Sequence, residues 1–309
     1  MVQVTQVLAV SGGNSVFCRG SGCPVAFDLR IRFNYIARMQ ISSMPNNAIM
    51  KRALLFLLYC ALGFCTLYSQ INSQKNLQLD CGGIIRTDRS RPEVHLVFTG
   101  HEFADGGDVI LKVLKKHAVK AAFFFTGDFY RTKRFSELLS ALKKDGHYLG
   151  AHSDRHLLYC MWEKRDSLLV TKDSFQRDLK ANYAEMKRFN IEQADAHFFL
   201  PPYEWYNDSI SAWTKELGLT LINFTPGTYS NADWTHPELT SQYLSSDSIY
   251  ARILRFESTK PQGLNGFILL THFGTDPRRK DKFYNRLDSL LTTLQNRGYR
   301  FTSLAESIN

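Results

Sequence analysis

Two histidines stand four positions apart in "AHSDRH" (151–156), with Ser153, Asp154 and Arg155 between them. At that spacing His152 and His156 can direct their imidazoles at one point, as zinc or a similar divalent ion requires. Without that role they are ordinary polar residues of a surface turn. The rest of the chain favours the first reading. Five other stretches, "TGHEFADGG", "TGDF", "PPYEWYN", "FTPGTYSNADW" and "THFGTD", are equally rich in His, Asp, Glu, Tyr and Trp. A fold needs no such residues at its rim for stability. Their concentration signals metal-binding and acid–base chemistry.

Each of these stretches closes an apolar run. "VHLVFT" (94–99), "KAAFFFTG" (120–127), "HYLGAH", "AHFFL" (196–200), "LTLINF" (219–224), "GFILLTH" (266–272) and the final "YRFTSL" read as strands. Helical stretches separate them: 108–117, "RFSELLSALKKDG" up to Gly146, 172–189, "NDSISAWTKELG" with an Asn/Asp cap and a closing glycine, 245–258, and "FYNRLDSLLTTLQNRG". Continuous apolar strands alternating with helices predict parallel β/α units buried on both faces. Seven such units suit a closed or nearly closed barrel better than an open sheet. In either architecture the chemistry belongs at the C-terminal strand ends.

With 309 residues, 44% of them hydrophobic, the chain can bury a sizeable core. The net charge of +9 suggests nucleic acid, but the cations (Lys115, Lys116, Lys143, Lys144, Arg278, Arg279, Lys280) are spread over many stretches. They read as solvated helix faces, and no nucleic-acid partner is expected. "MKRALLFLLYCALGFCTLYSQ" from Met50 has the basic, apolar and polar order of a secretory signal, with cleavage expected near Ser69. Its apolar part is short for a membrane span, so no stable span is expected after cleavage. A lipid anchor at Cys65 is disfavoured by bulky Phe64. The expected layout is a mis-called or disordered leader (1–49), the signal (50–69), a lead-in (70–92) and a catalytic domain (93–309), exported to the periplasm or beyond. Of six cysteines only Cys81 and Cys160 fall in the mature chain, too few for a disulfide scaffold.

Taken in order, these motifs resemble the polysaccharide deacetylases, the NodB-homology carbohydrate esterases. "DGHYLGAHSDRH" is similar to the family's His-Ser/Thr-x-x-His motif, "FFLPPYEWYN" to its third, "NADW" to its fourth and "GFILLTH" to its Leu-x-His motif. The resemblance runs from about residue 93 to the C-terminus. It implies an α/β fold, a distorted (β/α)7 barrel of NodB-homology type, removing acetyl groups from an acetylated glycan with a divalent metal, zinc first (cobalt, nickel or manganese otherwise). It further implies that His152 and His156 hold the metal. His272 would protonate the leaving group with Asp233 orienting it, while Tyr203, Trp234 and Trp205 line the sugar cleft.

Four positions depart from the family pattern. The adjacent aspartates expected after the first strand fall on Thr99 and Gly100, and neither can serve. A two-residue bulge places His101 and Glu102 there, making Glu102 the candidate third ligand. His101, Asp105 or Glu204 is then the candidate base, although Asp105 also suits a helix N-cap. The third motif has Leu200 in place of its arginine and Glu204 in place of its glycine. Two alternatives stay open: a glycan-binding protein that kept the barrel and lost the reaction, and an allantoinase-like amidase.

Overall fold

An antiparallel hairpin, β1 (Gln78–Asp80) and β2 (Gly83–Arg86), leads into seven parallel strands. This structure, a computed structural model, describes residues 76–308. The expected leader (1–49) and expected export signal (50–69), with Cys18, Cys23, Cys60 and Cys65, lie outside the described residues. The parallel strands are β3 (Glu93–Gly100), β4 (Ala122–Phe125), β5 (Tyr148–Ala151), β6 (Phe198–Phe199), β7 (Thr220–Leu221), β8 (Phe267–His272) and β9 (Arg300–Phe301). Between them run α1 (Gly107–Lys116), α2 (Gly127–Arg131), α3 (Ser136–Lys144), α4 (Lys172–Lys187), α5 (Asp208–Glu216), α6 (Ser246–Thr259) and α7 (Leu287–Asn296), and α8 (Leu304–Ile308) ends the series.

The sheet order is β1-β2-β8-β3-β4-β5-β6-β7, with β9 paired to the start of β3. The sheet curls until its ends meet. Asn223 N donates to Ile84 O at 2.8 Å, and Thr225 N donates to Ile268 O at 3.0 Å. The result is the expected distorted barrel, with β2 wedged antiparallel beside β8. The hairpin was not expected within the lead-in, because "GGIIR" is too short to show a period.

Period-two alternation explains the apolar runs. In β4, Phe123 and Phe125 pack outward with the helices, whereas Ala122 and Phe124 join the inner cluster with Val97, Phe198, Ile268 and Leu270. Gly150 of β5 is obligatory here, since a Cβ would come within 2.4 Å of the Phe124 ring. Leu304 of α8, beside the β3 start, belongs to the same inner cluster and stoppers the barrel at that end. The opposite rim, where strands end, is left for the site. Among the described residues no helix is long and apolar enough to cross a membrane.

His95 of β3 is fully buried, its ring between Thr87 Oγ1 (2.7 Å) and Thr302 O (3.2 Å). Burial pushes it down to about 4. Because its folded pKa lies below its unfolded one, it contributes stability above about pH 6.5. That stability is lost as the pH falls from about 6.5 toward 4. Urea unfolding at pH 5 should therefore show roughly 2 kcal/mol less stability from this residue than at pH 7. His95→Gln should flatten that slope; an unchanged slope would contradict the assignment.

Candidate active site

His152 follows β5 directly and is almost wholly buried. Its backbone N–H donates to Asn182 Oδ1 (2.9 Å), and its Nδ1 lies 2.7 Å from the Leu200 carbonyl. A carbonyl only accepts, so Nδ1 carries the proton and Nε2 keeps its lone pair. Burial pushes His152 down to about 3. The loop then turns sharply, with Ser153 and His156 at φ of 71° and 55°. Asp178 of α4 holds that turn, accepting from Ser153 Oγ (2.6 Å), Asp154 N (2.9 Å) and Arg155 N (3.1 Å). Burial raises the Asp178 carboxyl against the lowering effect of these donors.

The His156 ring lies 5.1 Å from that of His152 at 63°, and it stacks on His101 at 4.8 Å and 9°. Burial, with His152, His101 and His272 adding repulsion, drives His156 down to about 2. Both rings are therefore neutral donors. His101 Nδ1 sits 3.0 Å from Thr126 Oγ1, and its Nε2 is 3.8 Å from Glu102 Oε1. The Glu102 side chain is 66% exposed at the rim.

Across the cleft, Tyr203 and Glu204 are consecutive left-handed residues with φ of 58° and 54°. Such a pair is strained and is held by its surroundings, here by Asn223 Nδ2 donating to Glu204 O at 2.9 Å. Burial raises the Glu204 carboxyl, while His272 and a hydrogen bond from Asn231 pull it back. His272, the last residue of β8, is gripped twice by Asp233. Its N–H donates to Oδ2 (2.9 Å) and its Nδ1 to Oδ1 (2.6 Å). Burial lowers the His272 imidazolium, but Asp233, by charge and hydrogen bond, and then Glu204 carry it above its ordinary value. Behind this pair the fully buried Arg279 donates to Thr235 O (2.6 Å) and Leu244 O (3.0 Å), fixing the turn that carries Asp233.

His101, Glu102, His152, His156, Tyr203, Glu204, Trp234 and His272 all line one cleft of about 490 Å³, with Asp233 directly behind His272. Two expected residues are not brought there. Asp105 accepts from Thr275 N (2.8 Å), Tyr284 OH (2.9 Å) and Lys282 Nζ (2.8 Å), so its carboxylate tethers the 275–284 segment. It does not cap α1 either, whose N-cap is Gly106. Trp205 packs between Trp162 (5.8 Å) and the Arg165 guanidinium (4.8 Å), and Trp162 takes the place on the cleft wall expected for it. Sequence reasoning missed Trp162, Asn231 and His236, a buried cleft residue whose Nδ1 has no hydrogen-bond partner among the described residues, and it placed Arg279 on a solvated face although that guanidinium is fully buried. The one available signal was the long connection between β5 and α4 that carries Trp162.

Against a divalent ion, the site fits in part. Two neutral imidazoles are present, one oriented by a carbonyl. Among the described residues, however, no three His, Cys, Asp or Glu side chains converge on one point. The stacked planes of His101 and His156 run side by side, and Glu102 faces His101. The expected His152, His156 and Glu102 triad is therefore not assembled.

A family model described as polysaccharide deacetylase matches residues 88–222. A peptidoglycan-N-acetylglucosamine deacetylase of Bacillus cereus is 24% identical over 210 residues, covering 66% of this chain and 84% of that protein. An uncharacterized 30.6 kDa protein of Geobacillus stearothermophilus is 26% identical over 227 residues, covering 74% and 75%. Among solved structures, a family 4 carbohydrate esterase pseudoenzyme from Bacillus anthracis superposes with a TM-score of 0.58 at 21% identity, covering 75% of this chain and 70% of that one. At that identity the likeness is one of fold.

Proposed function

The chain belongs to the polysaccharide deacetylase family, and on that premise we propose that its cleft hydrolyses N- or O-linked acetyl groups on a glycan. The observation that carries this reading is the Asp233–His272 pair, a buried carboxylate holding an imidazole at the cleft wall. Water adds to the acetyl carbonyl carbon, and the bond to the sugar nitrogen or oxygen then breaks. His272, whose Nδ1–H is held by Asp233, donates the proton on its other ring nitrogen, Nε2, to the departing amine or alcohol. Glu204 is the better candidate for taking the proton of water, because burial has already moved its carboxyl toward the working range. His101 is already engaged by Thr126 and stacked on His156. Tyr203 and Trp234 offer ring faces to the apolar C–H surface of a pyranose, and the Tyr203 backbone N–H would serve the developing oxyanion, since those of Glu204 and Trp205 are taken by Pro201 O and Pro202 O.

His152 and His156 are the residues that would hold a zinc ion, with Glu102 the rim carboxylate that would join them. Bound there, such an ion would polarise the acetyl carbonyl and acidify water. Equilibrium dialysis against zinc, read by elemental analysis, should show uptake that His152→Ala abolishes; uptake unaffected by that change removes the metal role. Residues 93–309 would be the catalytic domain and 50–69 an export signal, placing the activity outside the cytoplasm.

The direct test is acetate release from acetylated chito-oligosaccharides and acetylated xylan by the purified chain. A second reading, glycan binding without turnover, draws on the unassembled ligand triad and on Thr99 and Gly100 standing where the family has aspartates. Tight glycan binding with no acetate from either substrate would establish it instead.

A further inference from the structure

The segment 157–171 joins β5 to α4 and is built as a rigid finger. Tyr159 and Cys160 are fully buried at its base. Cys160 bridges to Leu168, Met161 N donates to Ser167 O (3.0 Å), and Leu169 N donates to Tyr159 O (2.8 Å). Its tip carries Trp162 onto the cleft wall, yet leaves that indole 52% exposed. One side of the ring is backed by Trp205, at 5.8 Å and 27°, and its edge meets Tyr203 at 5.7 Å and 83°. Trp205 is itself fixed, with Nε1 donating to Met161 O (3.1 Å) and the Arg165 guanidinium 4.8 Å from its ring. Burying an indole is among the larger apolar gains a fold can make. Here the fold instead leaves about half of one open, packed against Trp205 and continuous with the reaction cleft.

We propose that Trp162 is a second sugar platform, so that the cleft binds at least two adjoining residues of a glycan chain. The proposal rests on the deacetylase reading of the same cleft. Tyr203, whose ring edge meets His156 at 4.4 Å, serves the sugar being deacetylated. Trp162, one aromatic further out, takes its neighbour. The flanking Glu163, Lys164, Arg165 and Asp166 sum to no net charge, and Glu163, Lys164 and Asp166 present exposed hydrogen-bonding groups beside the indole in sequence. Those surroundings suit a sugar's hydroxyl rim and are poorly suited to the acyl region of a membrane.

The test is calorimetric binding of tetra-N-acetylchitotetraose, acetylated xylotetraose and free N-acetylglucosamine to the full chain. Trp162→Ala should weaken the bound tetramer about tenfold while shifting the monosaccharide less than about twofold. Trp162→Phe, which keeps a flat ring, should cost the tetramer under about threefold. Equal losses for tetramer and monosaccharide, no loss at all, or no binding of either tetramer by the parent chain would each overturn the proposal. So would cosedimentation with phosphatidylglycerol vesicles that Trp162→Ala removes. Binding is read without turnover, so a chain that grips a tetramer through Trp162 and frees no acetate retains the platform and loses only the catalytic reading.

Discussion

A chain carrying His272→Ala is expected to release acetate about 10³-fold more slowly than its parent, with KM for the glycan little changed. Despite burial, Asp233 and Glu204 hold His272 above its ordinary pKa, while His152 and His156 are driven far below theirs. Of these three rings it is the one whose surroundings favour the protonated form. Asp233→Asn separates this role from a structural one. It removes the charge that offsets burial, so the His272 imidazolium should lose its proton at lower pH. The alkaline limb of the kcat/KM profile then moves to lower pH, and turnover falls while the fold persists. An unshifted limb together with near-parental turnover in His272→Ala would remove the pair from the mechanism.

Asp178→Ala is expected to cost roughly 3 kcal/mol of stability, because it strands three donors that a buried carboxylate now accepts. Two are backbone N–H groups of the turn that sets His152 and His156, so acetate release should fall with the stability. Asp178→Asn keeps one acceptor oxygen and should lie between parent and alanine variant in urea midpoint. If Asp178→Ala unfolds within about 1 kcal/mol of the parent, the helix is not what holds the histidine turn.

How much of this was legible in the sequence depended on the range of the signal. The strands "VHLVFT", "AAFFF" and "GFILLTH" announced themselves because residues buried on both faces leave an unbroken apolar run. The cap of α5 was equally legible, since Asn207 Oδ1 accepts from Ile210 N within one turn. "AHFFL" and "LTLINF" shrink to two-residue strands because the curled sheet pairs them only where neighbours stay in register. Asp105 suited a cap by local spacing, but its partners Thr275, Lys282 and Tyr284 lie about 170 residues downstream. Arg279 and His236 were invisible for the same reason: a buried arginine and a surface arginine look alike until the chain has closed. The histidine pair could be found by spacing, but whether a third donor reaches it depends on a rim side chain no local pattern specifies.

The helix that corks the barrel at its foot has a bearing on how such a chain can change over generations. Val97, Phe124, Phe198, Ile268 and Leu304 fill the interior well below the mouth, while a second, larger apolar layer joins the strands to the helices outside. The rim loops are thereby released from guarding the interior. The barrel closes with Thr99 and Gly100 at the mouth end of β3, so side chains at the open end can vary without emptying the interior, and new chemistries can be tried there without risking collapse.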